Sequence, residues 1–155
     1  MRDVKNTCKL ALVQAEPILF DKQACLDKTV ALIKEAAEQK AELIVFPELS
    51  LTGYSCGDLF LQDALHDAVE EGLVKILECS AAHPHLTAVV GLPVRSGIKL
   101  FNCAAVICAG TLAGLVSKSF LADYGESSES RWFSTASEGT AVTLAGTTLF
   151  VDSET

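Results

Sequence analysis

The chain has 155 residues, half of them hydrophobic but only 6% aromatic, and a formal net charge of −8. That length suits one domain, which buries roughly 70% of the surface its unfolded chain exposes. The charge argues against nucleic acid as a partner, because a polyanion would be repelled.

No apolar run approaches the ~18 residues of a membrane span, and no basic amphipathic helix is present to lie on an anionic membrane. The N-terminal MRDVKNTCKLALVQAEP has neither the long apolar stretch nor the small-residue cleavage site of a secretory signal, so a cytoplasmic location is expected. Six scattered cysteines are then expected to be free thiols. Cys25, Cys103 and Cys108 read as small core hydrophobes.

Along the chain, Cys8 to Gln14 reads as a strand stopped by Ala15-Glu16-Pro17. From Asp21 to Lys40 the period becomes helical, with Leu26, Val30, Ile33 and Ala37 on one face. Ala41 to Phe46 is a continuous apolar run, as in a strand buried on both faces. A second helical stretch covers Leu59 to Ser80, with Leu65, Val69, Leu73 and Ile76 in one stripe. Strands follow at Leu86 to Leu92, Lys99 to Cys108 and Thr111 to Lys118, the last two joined by a tight turn at Ala109-Gly110. Ser119 to Ser137 is polar and reads as a functional loop. Thr140 to Leu144 and Thr147 to Val151 form a final strand pair around Ala145-Gly146. The order predicts α/β layers with helices covering a mixed sheet, in which polar chemistry gathers at strand ends.

Two charged residues occupy such ends. Glu48 follows the buried strand AELIVFP, and Lys118 closes LAGLVSK. By position alone each reads as a solvated surface group. The functional alternative is a fixed, half-desolvated carboxylate able to take a proton, with a fixed cation aimed at a developing oxyanion. The loop LADYGESSESRWF adds Tyr124, Glu126, Arg131 and the chain's single tryptophan, Trp132; loop aromatics often close over a site. The three histidines include His83-Pro84-His85, where proline forces a turn, and no cysteine pair has C-x-x-C spacing, so no metal site is expected. No glycine-rich nucleotide loop is present.

Together, PELSLTGY (47–54), GDLFL (57–61), FNCAAVICAGTLAGLVSK (101–118) and LADYGESSESRWF (121–133) resemble the carbon–nitrogen hydrolase, or nitrilase, family. Within that family the chain is most similar to the glutaminase domains of glutamine-dependent NAD synthetases. The likeness runs from about Lys9 to Val151. It implies an α-β-β-α sandwich, here incomplete, and hydrolysis of an amide by a Glu, a Lys and a Cys. By resemblance, Glu48 is the general base and Lys118 stabilises the tetrahedral oxyanion. Tyr124 helps to hold glutamine, and Glu126 is the second glutamate that steadies the lysine, with Glu129 an equally placed alternative. The same likeness implies ammonia supply for amidation of deaminated NAD, with ATP and Mg used by a C-terminal synthetase portion, and a homo-oligomer when complete.

The nucleophilic cysteine has no counterpart among the six. In the family it follows a further strand, at a position that would lie beyond Val151. Cys56 is near Glu48 in sequence but lacks the family's context. The chain is therefore expected to be an N-terminal glutaminase portion truncated before its nucleophile and inactive alone. The alternatives are a fragment of a free-standing amidase or nitrilase, or a non-catalytic pseudoenzyme or binding module. An incomplete sandwich leaves a sheet edge and an apolar layer uncovered. Expressed alone, the 155 residues are expected to associate or precipitate; a monodisperse monomer with a cooperative melt would contradict this.

Overall fold

The computed structural model of the protein describes residues 7–14, 18, 21–137 and 139–152. The expected strand stop at Ala15-Glu16-Pro17 lies outside them. In chain order the elements are strand β1 (Leu10–Leu12), helix α1 (Lys22–Glu38), strand β2 (Leu43–Val45), a 3-10 turn (Gly57–Leu61), helix α2 (Asp63–Ala81), and strands β3 (Thr87–Ser96), β4 (Lys99–Cys108) and β5 (Thr111–Ser117). A second 3-10 turn (Glu129–Arg131) precedes β6 (Thr140–Leu144) and β7 (Thr147–Asp152).

Helix α1 starts where Asp21 accepts a hydrogen bond from the Ala24 N–H at 2.9 Å, satisfying one of the amides that a first turn leaves unpaired. Its inward face buries Leu26, Ile33 and Ala37 as the period requires, widened by Cys25, Thr29 and Ala36. The buried Thr29 hydroxyl is satisfied by the Cys25 carbonyl at 2.8 Å. The second expected helix divides in two: the extended backbone of Gln62 separates the 3-10 turn from α2. Phe60 holds that turn by burying its ring against Phe133, with centroids 4.9 Å apart. Helix α2 then buries Val69, Leu73 and Ile76.

The strands form one seven-stranded sheet in the order β1-β2-β3-β4-β5-β7-β6. β1, β2 and β3 run parallel; β3, β4 and β5 are antiparallel. β7 lies parallel to β5 and antiparallel to β6. The β4–β5 and β6–β7 turns place Ala109-Gly110 and Ala145-Gly146 at positive φ (48° and 77°, 48° and 75°), the conformation of a two-residue hairpin loop. The last hairpin curls back so that the Ser96 hydroxyl reaches the Ala141 carbonyl at 3.0 Å.

Strand β3 runs four residues past the expected Leu92, through Pro93. Odd residues of β3 turn their backbone groups toward β2, as the bonds from Phe46 N–H to Val89 O and from Leu51 N–H to Gly91 O show. β2 has ended by that point, so the missing N–H of Pro93 faces no strand, and the β3–β4 ladder continues through Pro93↔Asn102.

One face of the sheet presents Leu92, Val94, Phe101, Cys103, Ala105, Ile107 and Leu115 to the main core that the helices share. On the other face Val89, Ala104 and Val106 are half-buried and Val116 is 45% exposed. Val89, Ala104 and Val116 help to line an open trough of about 400 Å³, whose rim carries Glu48, Asn102 and Lys118.

Gly91 sets the rim. A Cβ there would stand 2.4 Å from the Leu49 nitrogen and 2.6 Å from the Pro47 oxygen. The segment carrying Glu48 therefore lies flush on β3 only because residue 91 has no side chain. Gly91→Ala is expected to cost about 3 kcal/mol, at the upper end for overpacking. A urea midpoint equal to that of the unaltered protein would contradict the close approach.

Candidate active site

Four chain segments meet at the rim. The first is the turn after β2. Phe46 stays paired with β3, its N–H donating to Val89 O at 2.9 Å. Pro47 ends the pairing, and Leu49 adopts φ 50°, a left-handed conformation costing about 1–2 kcal/mol for a residue with a Cβ. Two contacts hold it there. Its side chain is fully buried in a second cluster with Cys56, Phe60, Leu100 and Phe133. Its carbonyl accepts the Gly53 N–H at 2.7 Å and the Thr52 N–H at 3.1 Å. Between these anchors Glu48 projects over the sheet end, its side chain 42% exposed.

The second segment is β4. Asn102, 4% exposed, donates from Nδ2 to Glu48 Oε1 at 2.5 Å. Its backbone carbonyl accepts the Lys118 N–H at 2.8 Å. The third segment is Lys118 itself, just past β5. Its Nζ donates to Glu48 Oε1 and to Glu129 Oε1, both at 2.9 Å. The fourth is the second 3-10 turn. There Glu129, 2% exposed, accepts the Tyr54 hydroxyl on Oε1 at 2.7 Å and the Ala122 N–H on Oε2 at 2.8 Å. GDLFL anchors this turn: Asp58 accepts the Trp132 indole N–H at 2.9 Å and the Arg131 guanidinium at 3.0 Å.

The structure thus brings Glu48 and Lys118 together. It brings Glu129, and not Glu126, into contact with Lys118. Glu126 is exposed and stands outside the cluster, because the buried Phe133 and the Asp58 contacts fix the register of the loop three residues further on. Tyr124 is 78% exposed and also outside the cluster. Two members escaped the sequence reading. Asn102 had a signal, an amide inside the apolar run LFNCAAVIC; Tyr54 had only its place in the TGY turn.

The electrostatics follow from these contacts. Burial disfavours the charged form of Lys118, but hydrogen bonds and attraction from Glu48 and Glu129 outweigh it, and its pKa is pushed up to about 12. Burial alone would raise Glu129; the Ala122 N–H, Lys118 and the Tyr54 hydroxyl outweigh it and hold Glu129 below its ordinary 4.5. The hydrogen bond to Glu129, with burial, raises Tyr54, so its proton stays on the phenol.

The two carboxylates are not equivalent. Both oxygens of Glu129 are occupied. On Glu48 both donors share Oε1, and Oε2 has no partner among the described residues. One carboxylate has a donor on each oxygen, and the other leaves one oxygen open beside a fixed cation. A proton acceptor beside a fixed cation is an arrangement that acyl transfer can use. None of the six cysteines supplies the thiol there. Burial raises Cys25, Cys56, Cys79 and Cys103, the last to about 12. Cys8 precedes the edge strand β1, and Cys108 sits at the far end of β4, about 20 Å of strand from Asn102.

The profile of the family described as carbon-nitrogen hydrolase matches residues 9–150. A glutamine-dependent NAD(+) synthetase from Mycobacterium tuberculosis is 48% identical over 92 residues, which are 59% of this chain and 13% of that protein. The one from Aquifex aeolicus is 33% identical over 137 residues, 88% of this chain and 24% of that protein. The crystal structure of the Cytophaga hutchinsonii glutamine-dependent NAD(+) synthetase superposes with a TM-score of 0.76 at 28% identity, covering 88% of this chain and 23% of that one. The chain thus spans a quarter or less of the length of each.

The pKa shifts predict how the cluster depends on pH. The Glu129 contribution is present above pH 4.5 and is lost as pH falls through its lower folded value; that of Lys118 is present below 10.5 and is lost as pH rises through about 12. Glu129→Gln is expected to cost about 3 kcal/mol at pH 7, the range for breaking a buried pair. That difference should shrink below pH 4.5 in denaturant titrations. An equal loss at pH 3 and pH 7 would show that the carboxylate charge carries none of it.

Proposed function

Because the chain belongs to the carbon–nitrogen hydrolase family, we propose that it contributes the base and the oxyanion cation of a glutaminase that supplies ammonia to an NAD synthetase. The observation that carries this is the open Oε2 of Glu48 beside a lysine whose positive charge is locked in place. An amide is a poor electrophile, and a thiol of ordinary pKa about 8.5 is mostly protonated at neutral pH. Glu48 Oε2 takes the proton of a cysteine thiol as its sulfur attacks the glutamine carboxamide carbon. Lys118 answers the charge on the carbonyl oxygen. The C–N bond breaks, the proton passes to the leaving nitrogen, and ammonia departs. Water, activated by the same carboxylate, then cleaves the glutamyl thioester to glutamate.

On this reading the thiol is none of the six cysteines of this sequence, since burial raises four of them and none joins the cluster among the described residues. Glutamine as the amide is supported by the glutamine dependence of the NAD synthetases that this chain resembles and spans in part. Tyr124, exposed on the loop that follows Lys118, would meet the substrate from the solvent side on this reading. The ammonia would be consumed by a C-terminal portion that uses ATP and Mg to amidate deaminated NAD.

In the complete polypeptide, Glu48→Gln and Lys118→Met are each expected to lower glutamine-dependent NAD formation by about 10²–10³-fold, the range for losing a general base or an oxyanion partner. Synthesis from free ammonium should stay close to that of the unaltered enzyme. Loss of both activities together would overturn the assignment.

A further inference from the structure

We propose that Asn102 is the positioning residue of this site: its side-chain amide fixes Glu48 Oε1, so that the other oxygen alone serves as the proton acceptor. The inference rests on the glutaminase reading above and names a residue that the reading does not use.

Three observations converge on Asn102. It is an amide buried to 4% exposure, which costs free energy unless its polar atoms find partners. Its Nδ2 finds one, Glu48 Oε1 at 2.5 Å. Its main chain is engaged as well, since its carbonyl accepts the Lys118 N–H at 2.8 Å. One residue therefore sets the side chain of the base and the backbone of the cation.

Lys118 alone could not impose this geometry. Its Nζ is a point donor on a flexible stem, shared between Glu48 and Glu129. It would serve either oxygen of a carboxylate left free to turn. The Asn102 amide is planar and grows from a strand paired on both sides, with β3 and β5. With both donors on Oε1, rotation of the carboxylate would break two hydrogen bonds, so Oε2 stays turned away from them. Among the described residues, the charged and titratable groups around Glu48 are Lys118 after β5, Glu129 in the 3-10 turn and Tyr54 in the turn after β2, with Cys25 and Lys28 of α1 lining the cavity that Glu48 and Tyr54 also border. Lys118, Glu129 and Tyr54 are bonded to one another, and Asn102 is the donor to Glu48 that carries no charge.

The test compares Asn102→Leu, Asn102→Asp and Glu48→Gln in the complete polypeptide, following ammonia release from glutamine between pH 5 and 9 and the melting temperature of each variant. Leucine removes the donor at similar volume. Aspartate keeps the shape but sets a like charge against Glu48. The expected result is a fall in kcat of about tenfold or more with KM little changed, as for a displaced catalytic group. The acid limb of the pH–rate profile should move to higher pH for both variants, and further for Asn102→Asp than for Asn102→Leu, because one loses a donor to the charged carboxylate and the other adds a like charge. A purely structural role would lower activity equally at every pH. If Asn102→Leu does not fold, Asn102→Asp is read alone. An unmoved acid limb, with Glu48→Gln inactive, overturns the role of Asn102 and leaves the glutaminase reading standing. An active Glu48→Gln overturns both.

Discussion

An ammonium held between two carboxylates, Lys118 between Glu48 and Glu129, is the interaction around which the site is arranged. Glu129 is almost wholly removed from water, and an ionised group so buried must be met by fixed donors. Those donors come from three places: the Ala122 backbone, the Tyr54 ring and the Lys118 side chain. Each lies on a different stretch of chain, and each stretch is tied down by something apolar or by the sheet. Leu49 and Phe60 are buried beneath the Tyr54 turn, Phe133 beneath the Glu129 turn, and the β4 ladder runs beside Lys118. The requirement for a charged cluster thus extends into the packing below it.

The cluster also separates two chemically identical side chains. Glu129 has every oxygen occupied and its proton affinity lowered, so it is a structural anion that holds the lysine charged. Glu48 is half-exposed and only half-occupied. The difference arises from position on the fold. One glutamate is enclosed by its own loop, and the other projects over a strand end where Gly91 lets the backbone come close.

What was legible in the sequence was what is local. Strands β4 and β6 match the expected residues, and both hairpin turns fall on their Ala-Gly dipeptides, because periodicity and turn chemistry act over a few residues. β3 extends beyond the expected Leu92 through Pro93, because the effect of a missing N–H depends on whether a neighbouring strand faces it. The 3-10 turn at GDLFL was merged into the following helix because its stability comes from Phe133 and Trp132, more than seventy positions away. The choice between Glu126 and Glu129 had the same cause: a loop has no period, and its register is set by distant rings. Asn102 and Tyr54 were hidden because their partners lie 54 and 75 residues along the chain.

Those separations bear on how the molecule acquires its site. The contacts of Glu48 with Asn102 and Lys118 close loops of 54 and 70 residues. Closing such a loop carries an entropic cost that a single exposed ion pair, worth about 1 kcal/mol or less, does not offset. The pairs can therefore persist only after β3, β4 and β5 have zipped together and brought the segments within reach. On that ordering the charged cluster contributes little to finding the fold and reports on its completion: a chain with a misregistered β4 would keep its helices and lose the meeting of Glu48 with Lys118.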